Sequence, residues 1–197
     1  MTRDVSAPLT ACLQRIAQCQ QCASCLPHPP RPVVQASSQA KLLIIGQAPG
    51  RKVHHSGIPW HDASGVRLRQ WMGIDEGVFY DPQQVAIVPM GLCYPGKATS
   101  GDKPPAKVCA PLWHPQLLPL LPNIQLTLLI GQYAQRYYLN AKPPTLTDTV
   151  KQWSRWLPQY FVLPHPSPRN QIWLKKNPWF DTDLLPQLKA QVQQVLG

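Results

Sequence analysis

The chain has 197 residues, 44% of them hydrophobic, which suits one domain over 1–197 with a full apolar core. It carries 19 Lys and Arg against 9 Asp and Glu, a net charge of +10, and a field of that sign gathers polyanions such as nucleic acid. No apolar stretch approaches the ~20 residues of a membrane span and residues 1–10 lack a signal-type apolar core, so the expected setting is the cytoplasm, with no membrane partner.

In chain order, residues 8–24 read as a helix carrying Cys12, Cys19 and Cys22, with Leu9, Leu13 and Ile16 at helical spacing. A Pro-rich loop covers 26–39. An apolar run at 41–46 reads as a buried strand and breaks into the turn Gly46-Gln47-Ala48-Pro49-Gly50. Residues 47–62 form a long, His-rich loop, and 63–72 a helix with Ser64 near its start. A second strand is expected at 85–89, then a polar loop at 93–108 and a helix at 110–120. The third strand, 125–130, stops at Gly131. Helix follows over 132–139 and 147–155, then a fourth strand at 160–163 that ends in the turn His165-Pro166-Ser167-Pro168-Arg169-Asn170. The tail, 178–195, is helical, with Leu184, Leu185, Leu188, Val192 and Val195 on one face. Strands alternating with helices predict a three-layer α/β/α sandwich around a central, mainly parallel four-stranded sheet. In such sheets ligands bind beyond the carboxyl ends of the strands, so the two polar turns can face one cleft.

Six cysteines in a reducing compartment suggest metal or cluster ligation more than disulfides. Cys19, Cys22 and Cys25 are spaced three apart, and Cys93 and Cys109 follow much later beside proline-containing turns. Four thiolates can hold zinc or an iron–sulfur cluster, and spacing does not separate the two. Five cysteines compete for four places, with Cys19 the expected spare, while Cys12 stands alone as a core residue. His54, His55 and His61 with Asp62 match no familiar ligand spacing.

Taken together, the motifs resemble the uracil-DNA glycosylase superfamily, and within it the iron–sulfur-containing branches of bacteria and archaea. Cys22-Ala-Ser-Cys25 is similar to the N-terminal cysteine pair of those branches, and Cys93-Tyr-Pro-Gly with Cys109-Ala-Pro-Leu to their second pair. The resemblance implies a 4Fe-4S cluster on Cys22, Cys25, Cys93 and Cys109, structural in role and near the DNA-binding surface. Gly46 to Gly50 is similar to the first active-site motif, and Gly57-Ile58-Pro59-Trp60 to the segment whose aromatic ring stacks on the flipped base. His61-Asp62-Ala63-Ser64-Gly65 resembles a segment whose aspartate serves catalysis in one branch, which points to Asp62. His165 to Asn170 resembles the second motif, whose histidine contacts the base and whose turn enters the minor groove. Two positions depart from relatives. Gln47 and Ala48 stand where several carry an acid, and Val88 to Leu92 contains no Asn of the kind that reads uracil. Asp62 is left as the only obvious acid near the cleft.

The residue chemistry is consistent with that resemblance. An enzyme acting on a base in duplex DNA must extrude it into a pocket. Trp60 offers a stacking face, Gln47 an amide for a pyrimidine edge, and His165 an N–H for the leaving base, while Asp62 can stabilise a cationic sugar or activate water. Asp62 is equally placed to cap the helix at Ala63. Gly46, Ala48, Pro49, Gly50, Ser167, Arg169 and Asn170 complete the expected base and DNA contacts, with Lys97, Lys103, Lys107, Lys175 and Lys176 as candidate phosphate contacts. The expected function is a monofunctional glycosylase, a monomer, excising uracil or another deaminated base from damaged DNA, double- or single-stranded. The alternatives are a DNA-binding iron–sulfur protein with weak or no catalysis on the same scaffold, and a zinc protein unrelated to nucleic acid.

Overall fold

Four short apolar runs form the centre of the molecule. The computed structural model describes residues 5–140 and 143–197. Its strands are β1 (Leu42–Ile45), β2 (Val85–Ile87), β3 (Leu126–Ile130) and β4 (Tyr160–Leu163), all parallel, in the order β2-β1-β3-β4. Leu42 stands opposite Val85 on one side and Leu126 on the other, and Leu128 opposite Phe161. Every strand residue except Tyr160 is buried. A parallel sheet needs such continuous apolar strands, because its crossover helices cover both faces.

The alternation along each strand divides the core in two. Leu43, Ile45, Ala86, Leu129 and Val162 face one cluster, and Leu42, Ile44, Val85, Ile87, Leu128, Phe161 and Leu163 the other. The helices are α1 (Ser6–Ala17), α2 (Arg51–Ser56), α3 (Ala63–Met72), α4 (Glu76–Tyr80), α5 (Cys109–Leu117), α6 (Gly131–Tyr138), α7 (Leu146–Lys151), α8 (Gln171–Lys176) and α9 (Leu185–Leu196). Cys12 and Ile16 of α1, Trp113 and Leu117 of α5 and Ala134 of α6 close the first cluster. Leu68 and Met72 of α3, Phe79 of α4, Val150 of α7 and Leu188 and Val192 of α9 close the second. The result is the expected α/β/α sandwich.

The differences from the sequence reading have local causes. The first helix ends at Ala17, not near residue 24, because its apolar positions stop at Ile16. Residues 18–26 continue as turns, with the Cys25 and Leu26 amides donating to the Cys22 carbonyl at 3.0 and 3.1 Å. The loop at 47–62 contains α2, which buries only Val53 and so leaves no apolar period to read. The tail begins with a π-helical turn at Phe180–Leu184 ahead of α9. That wider turn precedes Pro186, which has no N–H to give to a helical bond.

A buried polar group anchors the chain just beyond β2. His114 lies in α5 with Nε2 3.0 Å from the Pro89 carbonyl, just beyond β2. A carbonyl only accepts, so Nε2 carries the proton, and Nδ1 accepts from the Tyr138 hydroxyl. Burial holds this imidazole below its ordinary 6.5, partly opposed by the Pro89 contact. Replacing His114 by Leu leaves the Pro89 carbonyl and the Tyr138 hydroxyl unpaired, and should cost about 1–3 kcal/mol in denaturant unfolding. The wild-type histidine should contribute its full stability above pH 6.5. Below that, the unfolded chain takes up a proton that the folded chain refuses, so stability declines with acid, and His114→Leu should flatten this slope.

Candidate active site

Beyond the carboxyl ends of the strands lies a cleft of about 520 Å³, within the usual range for a small-molecule site. Gly46 to Gly50 enter it from β1, Pro89 from β2, Gln132 and Tyr133 from β3, and His165 from β4. The strand order reverses between β1 and β3, the switch point where parallel sheets bind ligands. Gln47, Trp60, Asp62, His165, Ser167, Arg169 and Asn170 all line this one hollow. The two distant turns therefore do meet.

The Trp60 turn is held by close backbone approaches. Trp60 has φ +55°, a left-handed conformation rare for a bulky side chain. Its carbonyl oxygen lies 1.7 Å from where a Cβ on Gly65 would stand, and its indole edge 2.8 Å from the corresponding point on Gly46. A side chain at Gly65 would collide with backbone, and one at Gly46 would have to displace the indole. The indole centre is 5.6 Å from that of the His165 ring, with 33° between planes. The two rings thus form one continuous wall of the cleft.

The His165 turn is equally tied down. The Asn170 side chain donates to the His165 carbonyl at 2.7 Å, and the Arg67 guanidinium, from α3, donates to the Ser167 carbonyl at 3.1 Å. Gln135 is buried in α6 and donates to the Leu163 carbonyl at 2.9 Å, at the very end of β4. Arg169 is exposed, and its guanidinium reaches across to Gly101 in the 93–108 loop, 2.8 Å from where a Cβ there would stand. Gln47 donates to the Lys103 carbonyl at a long 3.5 Å.

Asp62 caps α3, as its position before the helix suggested: Oδ1 accepts from the Gly65 amide at 2.9 Å. This leaves Oδ2 for the cleft. A second acid, Asp102, also lines the cleft, so Asp62 is not the only carboxylate there. Burial pushes the His165 imidazole down from 6.5, while Asp62 and Asp102 pull it back up. Sequence reasoning passed over Asp102 because it sits in an aperiodic loop forty residues from Asp62.

The family model of the uracil DNA glycosylase superfamily matches residues 33–189, a span that takes in all four strands and every residue of the cleft. The chain belongs to the uracil-DNA glycosylase superfamily. That is a family of DNA glycosylases, so DNA is the partner class and hydrolysis the class of chemistry. No helix among the described residues is long and apolar enough to cross a membrane.

A second pocket of this glycosylase-family fold lies beside the cleft and is lined by Cys19, Cys22, Cys93 and Cys109, with Leu92, Leu112 and Trp113 among its apolar walls. Cys25 is exposed and stands outside that lining. Cys109 accepts from the Leu92 amide at 3.3 Å. Burial pushes the thiols of Cys93 and Cys109 up to about 11. Among the described residues no three His, Cys, Asp or Glu side chains are grouped so as to hold a metal ion; the four cysteines share the lining of this pocket. The backbone amide of Arg31 faces Cys93 and favours its thiolate. The Arg31 guanidinium runs the other way and donates to the His54 and His55 carbonyls, both at 2.7 Å, at the end of α2.

The glycine contacts around Trp60 generate a graded expectation. Gly65→Ala drives a Cβ into a backbone carbonyl, and should cost at least about 1–3 kcal/mol by overpacking. Gly46→Ala meets only the rim of a side chain and should cost less. Urea unfolding of the two variants checks the order.

Proposed function

We propose that the protein is a monofunctional DNA glycosylase that hydrolyses the N-glycosidic bond of uracil or another deaminated base. The observation that carries this reading is the meeting of Gln47, Trp60, Asp62 and His165 in one cleft at the sheet's switch point. A base swung out of the duplex would stack along the Trp60 wall. The Gln47 amide would pair with its polar edge. His165, kept neutral at pH 7 by burial, would hold an N–H against the oxygen on which negative charge grows as the base leaves. Such a preorganised donor is worth about 3–4 kcal/mol in the transition state. The donor is the neutral imidazole, because burial disfavours the imidazolium. Across the cleft, Asp62 Oδ2 is free to stabilise the cationic sugar. Among the described residues the one ion pair joins Arg69 to Glu76 at 3.9 Å, which leaves Arg169, Lys97 and Lys103 available for phosphates.

Oligonucleotides carrying uracil, hypoxanthine or xanthine, followed by alkaline cleavage at abasic sites, test this reading. Release is expected from at least one lesion, and Asp62→Asn should slow it by about 10²-fold or more. No release from any of the three sinks the proposal.

We propose further that the sulfur-lined pocket holds a 4Fe-4S cluster on Cys19, Cys22, Cys93 and Cys109. The donor set supports this: four soft thiolates around an apolar space, two of them in reach of backbone amides that favour the thiolate. The assignment moves one ligand from Cys25 to Cys19. When bound, the cluster would tie the N-terminal turns to the 93–108 loop and would supply no step of base release. Cys19→Ser should abolish iron and acid-labile sulfide in the purified protein, while Cys25→Ser should retain both. Zinc in place of iron, or retention by Cys19→Ser with loss in Cys25→Ser, refutes the assignment.

A further inference from the structure

We propose that Asp102 is a second catalytic carboxylate, and that Asp62 and Asp102 together hold the attacking water above Gly50. The inference rests on the glycosylase reading and adds the source of its nucleophile. The point where a Cβ on Gly50 would stand is 3.5 Å from Asp102 Oδ2 and 3.8 Å from Asp62 Oδ2. In each carboxylate the other oxygen is already engaged. Asp62 Oδ1 takes the Gly65 amide at 2.9 Å, and Asp102 Oδ1 faces the Tyr94 hydroxyl at 3.5 Å. Two free acceptors therefore flank the space that the missing side chain leaves, and that space opens into the cleft.

Water is the ligand whose chemistry fits. It has two O–H donors for two acceptors, and its lone pairs stay free to attack. In inverting glycoside hydrolysis one carboxylate activates the attacking water; here the second carboxylate would fix the orientation of that same water. The loop that carries Asp102 is fixed rather than loose. The backbones of Lys97 and Asp102 pair in an isolated antiparallel β-bridge, the Ala98 amide donates to the Gly101 carbonyl at 2.9 Å, and the Lys103 amide to the Gly96 carbonyl at 2.8 Å. Asp102 is exposed at the mouth, so the water can be replaced from solvent after each turnover. In the step itself, the water oxygen bonds to the anomeric carbon and one water proton passes to a carboxylate. The bond from that carbon to the base nitrogen breaks, its electron pair leaves with the base, and the resulting anion is held by the His165 N–H. The carboxylic acid then returns its proton to the base or to solvent.

Single-turnover base release, on whichever lesion the wild type cleaves, tests the assignment in Asp62→Asn, Asp102→Asn and the double variant. Asp102→Asn should slow release by about 10²-fold while its affinity for the same oligonucleotide changes less than about threefold. The double variant should be no slower than the slower single one, as expected for residues acting on one water. Thermal melting confirms that each variant is folded, and EDTA should leave the wild-type rate unchanged. Wild-type release that survives Asp102→Asn, rate losses that multiply in the double variant, an affinity loss matching the rate loss, or inhibition by EDTA would each overturn the inference and leave the glycosylase reading standing. A wild type that releases no base overturns that reading, and this inference with it.

Discussion

Every group of the cleft hangs from one edge of a four-stranded sheet whose strands all run the same way. In-register parallel pairing puts four carboxyl ends side by side, at Gly46, Pro89, Gly131 and His165. A reversed strand would carry its turn to the far side of the molecule. A slip of one residue would exchange the two faces of the core and pull the turns out of line. The division of alternating side chains between two separate clusters guards against both, since each strand is specified from above and below. The chemistry of the cleft is therefore a consequence of how Leu, Ile and Val alternate in short segments far from it.

On that edge the Trp60 turn stores the clearest strain. A tryptophan in the left-handed region persists only where its surroundings over-determine it. Here they do so through Gly65, which admits its carbonyl, and Gly46, which admits its indole. The next residues repeat the economy: Asp62 spends one oxygen on the helix that starts beside it and keeps the other for the cleft. A capping role and a catalytic role are compatible because a carboxylate has two oxygens and the cap uses one.

Much of this was legible in the amino-acid order. The strands announce themselves as four- and five-residue runs of Leu, Ile and Val bounded by Gly and Pro, and α3 is framed by Asp62 at its start and Gly73, in the left-handed region, at its end. The pairing of the Gly46 and His165 turns follows from the rule for strand ends. What stayed hidden lacks a local signal. Helices α2 and α4 bury one residue each and α8 none, so no period marks them. Cys19 and Cys25 lie equally far from Cys22, and only tertiary packing tells them apart. The helix expected through Cys22 stops at Ala17, and that early stop is what frees Cys19 to turn inward. Asp102 reaches the cleft through a loop of Gly, Lys and Pro that no periodicity describes.

Arg31 is bracketed by Pro30 and Pro32, which leaves its backbone little freedom. Its amide belongs to the sulfur-lined chamber, and its guanidinium closes the carboxyl end of α2, entering beside Gly57, where φ is +75° and a Cβ would stand 2.6 Å from the arginine nitrogen. The residue thus joins the wall of one compartment to the edge of the other. Any shift of this backbone is therefore felt in two places, beside Cys93 and at the last carbonyls of α2, whose Val53 lines the cleft.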